Sequence, residues 1–207
     1  EGGEIGRAQW TQAFAAGVEP TVNMNPVLMK PQGDRTSQVI VRGKPIGVFS
    51  ATEYYARKGD LLDTVIESLD GLRDTYDVVI CEGAGSPTEI NLLDHDIVNL
   101  RLATAAGMPA IVIDDIDLGG VFASLYGTVA LLPDELRACV KAFVLNKFRG
   151  DPALLADATD VIKERCGVPT IGVLPHLGPL AIDGEDSLTL GTGWNNQGDL
   201  DVAVIAF

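Results

Sequence analysis

Carboxylate side chains follow apolar runs of the sequence where a parallel β-sheet would present a ligand site. Glu82 comes directly after the apolar run 78–81 and is followed by Gly83 and Gly85. An acid at the end of a strand points into the crevice outside the sheet, and glycines let a ligand approach the backbone closely. In nucleotide-using α/β proteins such an acid holds magnesium on the phosphates. The alternative interpretation is an exposed acid on a loop.

Further acids lie beside predicted helices. Glu4 stands at the start of a predicted helix, where an acid also complements the helix dipole without any further role. Asp114, Asp115 and Asp117 follow the apolar run 110–113, and neighbouring carboxylates repel one another unless a cation or hydrogen-bond donors offset their charge. These acids are candidates for a cation-assisted site. The alternative is that Asp117 caps the next helix while the other two are solvated.

Cationic side chains are scarce, so their positions are informative. Lys30, Arg35, Lys147 and Arg149 all fall in loop-like segments. Such side chains suit the binding of carboxylate or phosphoryl oxygens, and the preceding Asn146 suits recognition of a purine edge. The alternative is that they are solvated surface groups.

The elements that must position these residues alternate along the chain. Apolar periodicity predicts helices at 61–72, 97–106, 119–132 and 152–165. Continuous apolar runs, as in parallel strands covered on both faces, predict strands at 78–81, 110–113, 142–145, 170–174 and 202–207. This order predicts an α/β fold with a doubly wound, mainly parallel sheet. Segment 17–59 is expected to add short strands near the edge of that sheet, and 178–200 to form a loop.

Composition excludes several classes of function. The chain has 207 residues and a formal net charge of −14, which disfavours binding to nucleic acid or to an anionic membrane. No apolar run reaches the roughly 18–20 residues of a membrane helix. The three cysteines are widely spaced and predict free thiols in a reducing cytosol. Neither a nucleophile elbow nor a Gly-x4-Gly-Lys-Ser/Thr phosphate loop occurs.

Seven motifs occur in a fixed order along the chain. They are GGEIGRAQ (2–9), MNPVLMKP (24–31), GDRTSQV (33–39), CEGAGSP (81–87), EINL (89–92), DIDLGGVF (115–122) and NKFRGD (146–151). Together they resemble the synthetase domain of the cobyric acid synthase family, the glutamine-dependent amidotransferases of cobalamin biosynthesis. The resemblance implies a P-loop NTPase-like fold related to dethiobiotin synthetase, without its first strand and P-loop.

The resemblance also implies a reaction. ATP would phosphorylate peripheral carboxylates of adenosylcobyrinic acid a,c-diamide, and ammonia from a glutaminase domain would displace the phosphate to give amides. Acyl-phosphate formation needs positioning and charge neutralisation rather than a protein nucleophile. The absence of a catalytic serine or histidine motif is therefore no objection.

Site residues follow from the resemblance and from our inference on the matching segments. We expect catalytic roles for Glu82, Lys30 and Arg35, and Mg²⁺ binding by Glu4 and Glu82. ATP is expected to contact Asn146, Lys147, Pro175, Gly83 and Gly85. The substrate is expected to contact Asp34, Ser37, Asn91, Asp96, Asp117 and Arg149.

The expected organisation is a single synthetase domain over 1–207, with 178–207 leading towards a glutaminase domain. Because the family pattern extends further at both ends, we expect a truncated chain that is inactive by itself. The expected partners include a second copy of the chain. Two alternatives stay open: the related cobyrinic acid a,c-diamide synthase, and a non-catalytic regulatory or scaffold module derived from a P-loop protein.

Overall fold

The computed structural model describes residues 2–155 and 157–178. Within these residues the chain forms two compact units, one made of 2–85 with 95–99 and the other of 86–94 with 100–178. The predicted strand at 202–207 and nearly all of the predicted loop at 178–200 lie outside the described residues. Among the described residues, no helix combines the length and the apolar character needed to cross a bilayer.

The first unit contains a three-stranded antiparallel sheet in the order β1-β2-β3. Its elements are α1 (Arg7–Ala15), β1 (Val27–Pro31), β2 (Thr36–Val41), β3 (Lys44–Ser50), α2 (Ala51–Tyr55) and α3 (Lys58–Arg73). A two-residue turn joins β2 to β3, because Val41 pairs with Lys44 and both intervening residues, Arg42 and Gly43, have positive φ. This backbone matches the twist of a tight hairpin.

A small apolar core lies beside this antiparallel sheet. Val39, Tyr54, Leu61 and Ile97 are all at most 7% exposed and pack together. The short strands expected in 17–59 are present as β1, β2 and β3, and among the described residues they form an antiparallel sheet that is not paired with the parallel sheet. The tight turn at Arg42 lets the segment pair with itself, and the resulting sheet has a core of its own.

The second unit contains a parallel sheet in the order β4-β5-β6. Its elements are α4 (Leu100–Ala105), β4 (Ala110–Asp115), α5 (Val121–Leu131), α6 (Asp134–Arg137), β5 (Val140–Phe148), α7 (Ala158–Cys166) and β6 (Thr170–Pro175). Helix and strand residues form one core that includes Leu125, Phe143 and Leu145, each 0% exposed. The α/β class and the strands predicted at 110–113, 142–145 and 170–174 are confirmed.

The apolar run 78–81 is not a strand, contrary to the prediction. Apolar residues form a strand only where a neighbouring strand pairs with their backbone groups, and no described strand does so here. The prediction that the parallel strands are covered on both faces of the sheet also fails for β4. In the described part of the chain, Ile111 is 52% and Ile113 57% exposed.

Three predicted helices have different bounds. Helix α4 begins three residues late, because Asp96 Oδ1 accepts hydrogen bonds from the amides of Val98 and Asn99 and holds them in a turn. Helix α5 begins only after Gly119 and Gly120, whose positive φ values of 78° and 72° are incompatible with a right-handed helix. The predicted helix 152–165 is divided into a 3₁₀ turn at Pro152–Leu155 and α7.

Candidate functional site

The carboxyl ends of the three parallel strands bring several predicted nucleotide-binding residues together. Asp115 at the end of β4 is in register with Asn146 of β5, and Phe148 is in register with Pro175 of β6. The amide of His176 donates to the Phe148 carbonyl at 2.8 Å, which ties the end of β6 to β5. We call the group made of Asp115, Asp117, Asn146, Lys147, Arg149 and Pro175 the parallel-sheet edge.

An irregular backbone aims Lys147 within this edge. The β5–β6 register shifts between Leu145 and Phe148, and Lys147 has a left-handed φ of 59°. A β-bulge of this kind redirects side chains, and a positive φ is uncommon for a non-glycine residue. The Asn146 side chain supports the bulge, since its Oδ1 accepts from the Lys147 amide at 2.9 Å.

The redirected Lys147 forms an ion pair with Asp115, whose side chain is 19% exposed. Lys147 Nζ donates to Asp115 Oδ2 at 2.6 Å. This bond holds the pKa of the Asp115 carboxyl below its ordinary value of 3.8 and raises the pKa of Lys147 above 10.5. Both groups are therefore charged throughout the neutral pH range.

A second ion pair lies beside the first. Arg149 Nε donates to Asp117 Oδ1 at 3.1 Å. Capping is done by Asp115, whose Oδ1 accepts from the Asp117 amide at 2.9 Å at the start of the 3₁₀ turn Ile116–Leu118. The alternative in which Asp117 caps helix α5 is wrong, because Gly120 occupies the N-cap position and no side chain caps it.

In the first unit, Glu4 forms an ion pair with Lys30. Glu4 is not in the first turn of a helix as predicted, because α1 begins at Arg7 and its first turn contains no acid. The segment is fixed by Asn25, which is 4% exposed and accepts from the Gly6 amide at 2.8 Å. The buried Asn25 thus holds the backbone two residues after Glu4, and the Glu4 amide itself donates to the Gly43 carbonyl at 3.1 Å.

Glu82 lies in an exposed segment and accepts a hydrogen bond from Gln12 Nε2 at 2.7 Å on its Oε2 atom. A Cβ at Gly83 would lie 2.0 Å from Asn99 Oδ1, so any other residue there would require the Asn99 side chain to move. Asn99 in turn donates to the Ala84 carbonyl at 2.9 Å. Gly85 has a φ of 68°. The group that lies close to the Gly83 backbone is thus the side chain of Asn99.

Two predicted substrate residues, Asp34 and Ser37, and the predicted catalytic residue Arg35 line a cavity of about 260 Å³ in the first unit, which we call the hairpin pocket. Asp34, Arg35 and Ser37 come from the loop between β1 and β2 and from the start of β2. Of the other predicted substrate residues, Asn91 is exposed in a turn. Asp96 accepts hydrogen bonds from the amides of Val98 and Asn99, just before helix α4.

The donor chemistry of Glu4 and Glu82 fits Mg²⁺, which prefers carboxylate oxygens. Across residues 2–155 and 157–178, no group of three or more His, Cys, Asp or Glu side chains is placed to hold a metal ion. Protein-bound Mg²⁺ commonly keeps several waters and uses one or two carboxylates together with substrate phosphates. Two acids therefore match the ordinary protein contribution to such a site.

Comparison with known families gives the fold family. A family model described as an AAA domain matches residues 48–182, nearly two thirds of the 207 residues. The chain belongs to the AAA domain family. Membership agrees with the predicted P-loop NTPase-like α/β fold. No solved structure matches the chain significantly.

Curated relatives of this AAA domain are named cobyric acid synthase. One from Sorangium cellulosum is 55% identical over 99% of the chain and 40% of the relative. Another from Dehalococcoides mccartyi is 52% identical over 99% of the chain and 41% of the relative. A third from Saccharopolyspora erythraea is 57% identical over 91% of the chain and 36% of the relative. The resemblance is confirmed, and the chain spans about two fifths of the length of these relatives.

Several contacts within the described residues were not predicted from the sequence. Asp115 belonged to a recognised acidic cluster, but its pairing with Lys147 joins residues 32 positions apart. Gln12, Asn25 and Asn99 bind the segments that carry Glu82, Glu4 and Gly83. The motif GGEIGRAQ marks the segment that Asn25 holds, but no local signal names its partner.

Proposed function

We propose that the chain is the core of an ATP-dependent, amide-forming ligase that acts on a corrinoid polycarboxylate. The proposed reaction amidates peripheral carboxylates of adenosylcobyrinic acid a,c-diamide through acyl phosphates, as part of cobalamin biosynthesis. The observation that carries this proposal is sequence identity of 52–55% to proteins named cobyric acid synthase over 99% of the chain.

At the parallel-sheet edge, the chain's own residues would bind the nucleotide. The Asn146 side chain keeps its Nδ2 hydrogens for the adenine edge, because its Oδ1 already accepts from the Lys147 amide. Pro175, in register with Phe148, would form part of the wall beside the base. Lys147 and Arg149, fixed by Asp115 and Asp117, would face phosphate or carboxylate oxygens when these arrive.

In the first unit, Glu4 and Glu82 would hold Mg²⁺. Gly83 and Gly85 would lie beside the phosphates. Lys30 would leave its ion pair with Glu4 and bind the acyl phosphate. ATP with Mg²⁺ supplies the activated phosphoryl group. The chain would orient the carboxylate and neutralise charge on the phosphoryl oxygens, so that positioning and electrostatics lower the barrier to attack. Asn91 and Asp96 would contact the substrate.

The whole enzyme requires further components under this proposal. Ammonia would come from glutamine through a glutaminase domain, and a second copy of the chain is a candidate partner. We place the protein in the cytoplasm, without nucleic acid or membrane as a partner, in keeping with its net charge of −14. The 207-residue chain by itself would neither hydrolyse glutamine nor turn over ATP efficiently.

The test is Glu82→Gln in the full gene product that carries this chain, with amidated corrinoid measured by mass spectrometry. The substituted amide can keep a hydrogen bond to Gln12 but cannot supply the carboxylate charge, so we expect loss of amidation with an unchanged unfolding midpoint. The matched control is Glu19→Gln, at an exposed acid of the same unit. Near-normal amidation by the Glu82 variant refutes the metal role.

A scaffold function is the second candidate, because three of the four predicted binding cations are ion-paired to acids of the chain itself. The coding sequence upstream of residue 1 separates the two proposals. A strand followed by a phosphate-loop motif supports the ligase, and a stop codon or unrelated sequence supports the scaffold. Activity on the a- and c-carboxylates instead of the a,c-diamide would indicate cobyrinic acid a,c-diamide synthase.

A further inference from the structure

The hairpin pocket has the size of a site for part of a ligand. Its volume of about 260 Å³ is below the roughly 300–1,000 Å³ of pockets that enclose drug-sized ligands. A macrocycle would not fit inside it. One flexible arm of a larger molecule would fit, with the rest of that molecule lying outside.

A cation lines this pocket without a partner among the described residues. Within that part of the chain, Arg35 forms no ion pair and no side-chain hydrogen bond, and neither does the Ser37 hydroxyl, whereas Lys30, Lys147 and Arg149 are paired. Two hydrogen bonds hold the loop that carries Arg35. The Gln32 amide donates to the Thr36 carbonyl at 2.8 Å, and the Thr36 hydroxyl donates to the Gln32 carbonyl.

The other walls of the pocket are apolar. Met29, Pro31 and Phe49 line it together with the polar loop. The Phe49 ring folds over Gly47, where an added Cβ would lie 2.8 Å from Phe49 Cζ. The Arg57 guanidinium lies 4.7 Å from the centroid of the Phe49 ring, a cation–π distance.

The position of Arg57 is itself supported from helix α2. Glu53 closes a capping box with Ser50, and hydrogen bonds from Ser50 followed by the charge of Arg57 lower the pKa of the Glu53 carboxyl. Glu53 is therefore ionised at neutral pH and attracts Arg57, which makes Arg57 a positioning residue for the Phe49 wall.

We propose that the hairpin pocket binds one aliphatic carboxylate arm of the substrate, with the Arg35 guanidinium holding the carboxylate and Met29 and Phe49 contacting the methylene groups. The proposal rests on the proposed function only for the identity of the molecule that carries the arm. It adds Met29 and Phe49 as specificity-determining residues and Arg57 as their support.

The same features argue against a phosphate group in this pocket. A single guanidinium balances one negative charge, and Asp34, which also lines the pocket, opposes a second one. Apolar side chains give no hydrogen bonds to phosphoryl oxygens but pack well against methylene groups. A product amide would lose the ion pair with Arg35, so the pocket would favour an arm that has not yet been amidated.

Binding of butyrate, butyramide and inorganic phosphate to the full gene product tests the proposal by NMR titration. We expect butyrate to bind more tightly than phosphate or butyramide, and Arg35→Gln to weaken butyrate binding at least about tenfold. Phe49→Ala is expected to weaken it several-fold. Arg165→Gln, at an exposed arginine of α7, is the matched control and is expected to leave butyrate binding unchanged.

Unchanged butyrate affinity in the Arg35 variant, or tighter binding of phosphate than of butyrate, overturns the proposal. If Phe49→Ala disturbs folding, Arg57→Gln gives a second measurement that leaves the Phe49 ring in place. A rise in the KM of the Arg57 variant for the corrinoid without a fall in kcat supports the positioning role of Arg57. An unchanged KM contradicts that role. Arg35-dependent butyrate binding without corrinoid amidation supports the pocket and refutes the proposed function. Corrinoid amidation with a KM that does not change in the Arg35 variant supports the proposed function and refutes the pocket.

Discussion

At the parallel-sheet edge, Lys147 binds the last residue of β4, Asp115, and Arg149 binds Asp117 just after it, whereas in the hairpin pocket Arg35 binds no described acid. The first arrangement fixes its cations before any ligand arrives. The second fixes its loop by one backbone hydrogen bond and one from the Thr36 hydroxyl, and it leaves the cation for a ligand. In an acidic chain, a paired cation mainly sets geometry, while an unpaired cation adds attraction for an anion.

The cores behind the two regions also differ. Among the described residues, the cluster of buried side chains behind the parallel-sheet edge has twelve members, and the cluster beside the hairpin pocket has four. Regular strands packed on a larger core suit a rigid site, and a small core with a loop suits a site whose shape depends on a few side chains. The predictions below test this contrast.

The largest expected effect is on the core of the parallel sheet. Phe143→Ala removes a side chain that is 0% exposed, and we expect a loss of about 3–5 kcal/mol in the free energy of unfolding. Urea unfolding followed by circular dichroism measures it. Tyr54→Ala, also an aromatic-to-alanine change and in the core beside the hairpin pocket, is the matched comparison, and we expect a smaller loss of about 3 kcal/mol because fewer buried side chains surround it. Equal losses would remove the contrast between the two cores.

Lys147→Gln tests whether pairing at the parallel-sheet edge serves nucleotide binding. The variant loses the bond to Asp115 Oδ2 and the charge that would face phosphate oxygens. We expect the KM for ATP to rise at least about tenfold in the full gene product. Lys163→Gln, at an exposed lysine of α7, is the control. An unchanged KM for the Lys147 variant would show that the ion pair is structural only.

Much of the parallel sheet could be predicted from the sequence, because continuous apolar runs at 110–113, 142–145 and 170–174 are a local signal for buried parallel strands. The same signal failed at 78–81, because strand formation also requires a partner for the backbone. Whether a distant segment supplies that partner cannot be deduced from local composition.

The candidate site shows the same limit. The residue types at Lys147 and Asp115 were recognised, but their pairing depends on the bulge after Leu145 and on the parallel register with β4. Likewise, the motif GDRTSQV predicted a binding loop. Phe49 was not predicted, because it lines the hairpin pocket only as a result of the pairing of β2 with β3. Residues brought together by tertiary register leave no periodic trace in the sequence.

The Asp115–Lys147 pair predicts a specific pH dependence of stability. Because the pKa of Asp115 is lowered below 3.8 in the folded state, its stabilising contribution is present above that value and is lost as the pH falls through the folded-state pKa. Because the pKa of Lys147 is raised above 10.5, its contribution is present below that value and is lost as the pH rises through the folded-state pKa.

Urea unfolding of wild type and Asp115→Asn across the pH range measures this dependence. We expect a constant difference in unfolding free energy between pH 5 and 9, about the window in which both groups are charged in both states, and a smaller difference in acid. The Asp117→Asn variant is the comparison, because it removes the carboxylate of the neighbouring ion pair and leaves the Asp115–Lys147 pair in place. A difference that grows in acid would contradict the assigned direction of the Asp115 shift.

The smallest expected effect on stability is that of Arg35→Gln, and it separates the two regions most clearly. Since Arg35 has no partner among the described residues, we expect the free energy of unfolding of the Arg35→Gln variant to differ from that of wild type by less than about 0.5 kcal/mol in urea unfolding. A larger loss would mean that Arg35 is held by the fold after all. A stable protein with weakened carboxylate binding is the outcome that only a ligand-directed cation produces, because a paired cation such as Lys147 affects its acidic partner as well as the ligand.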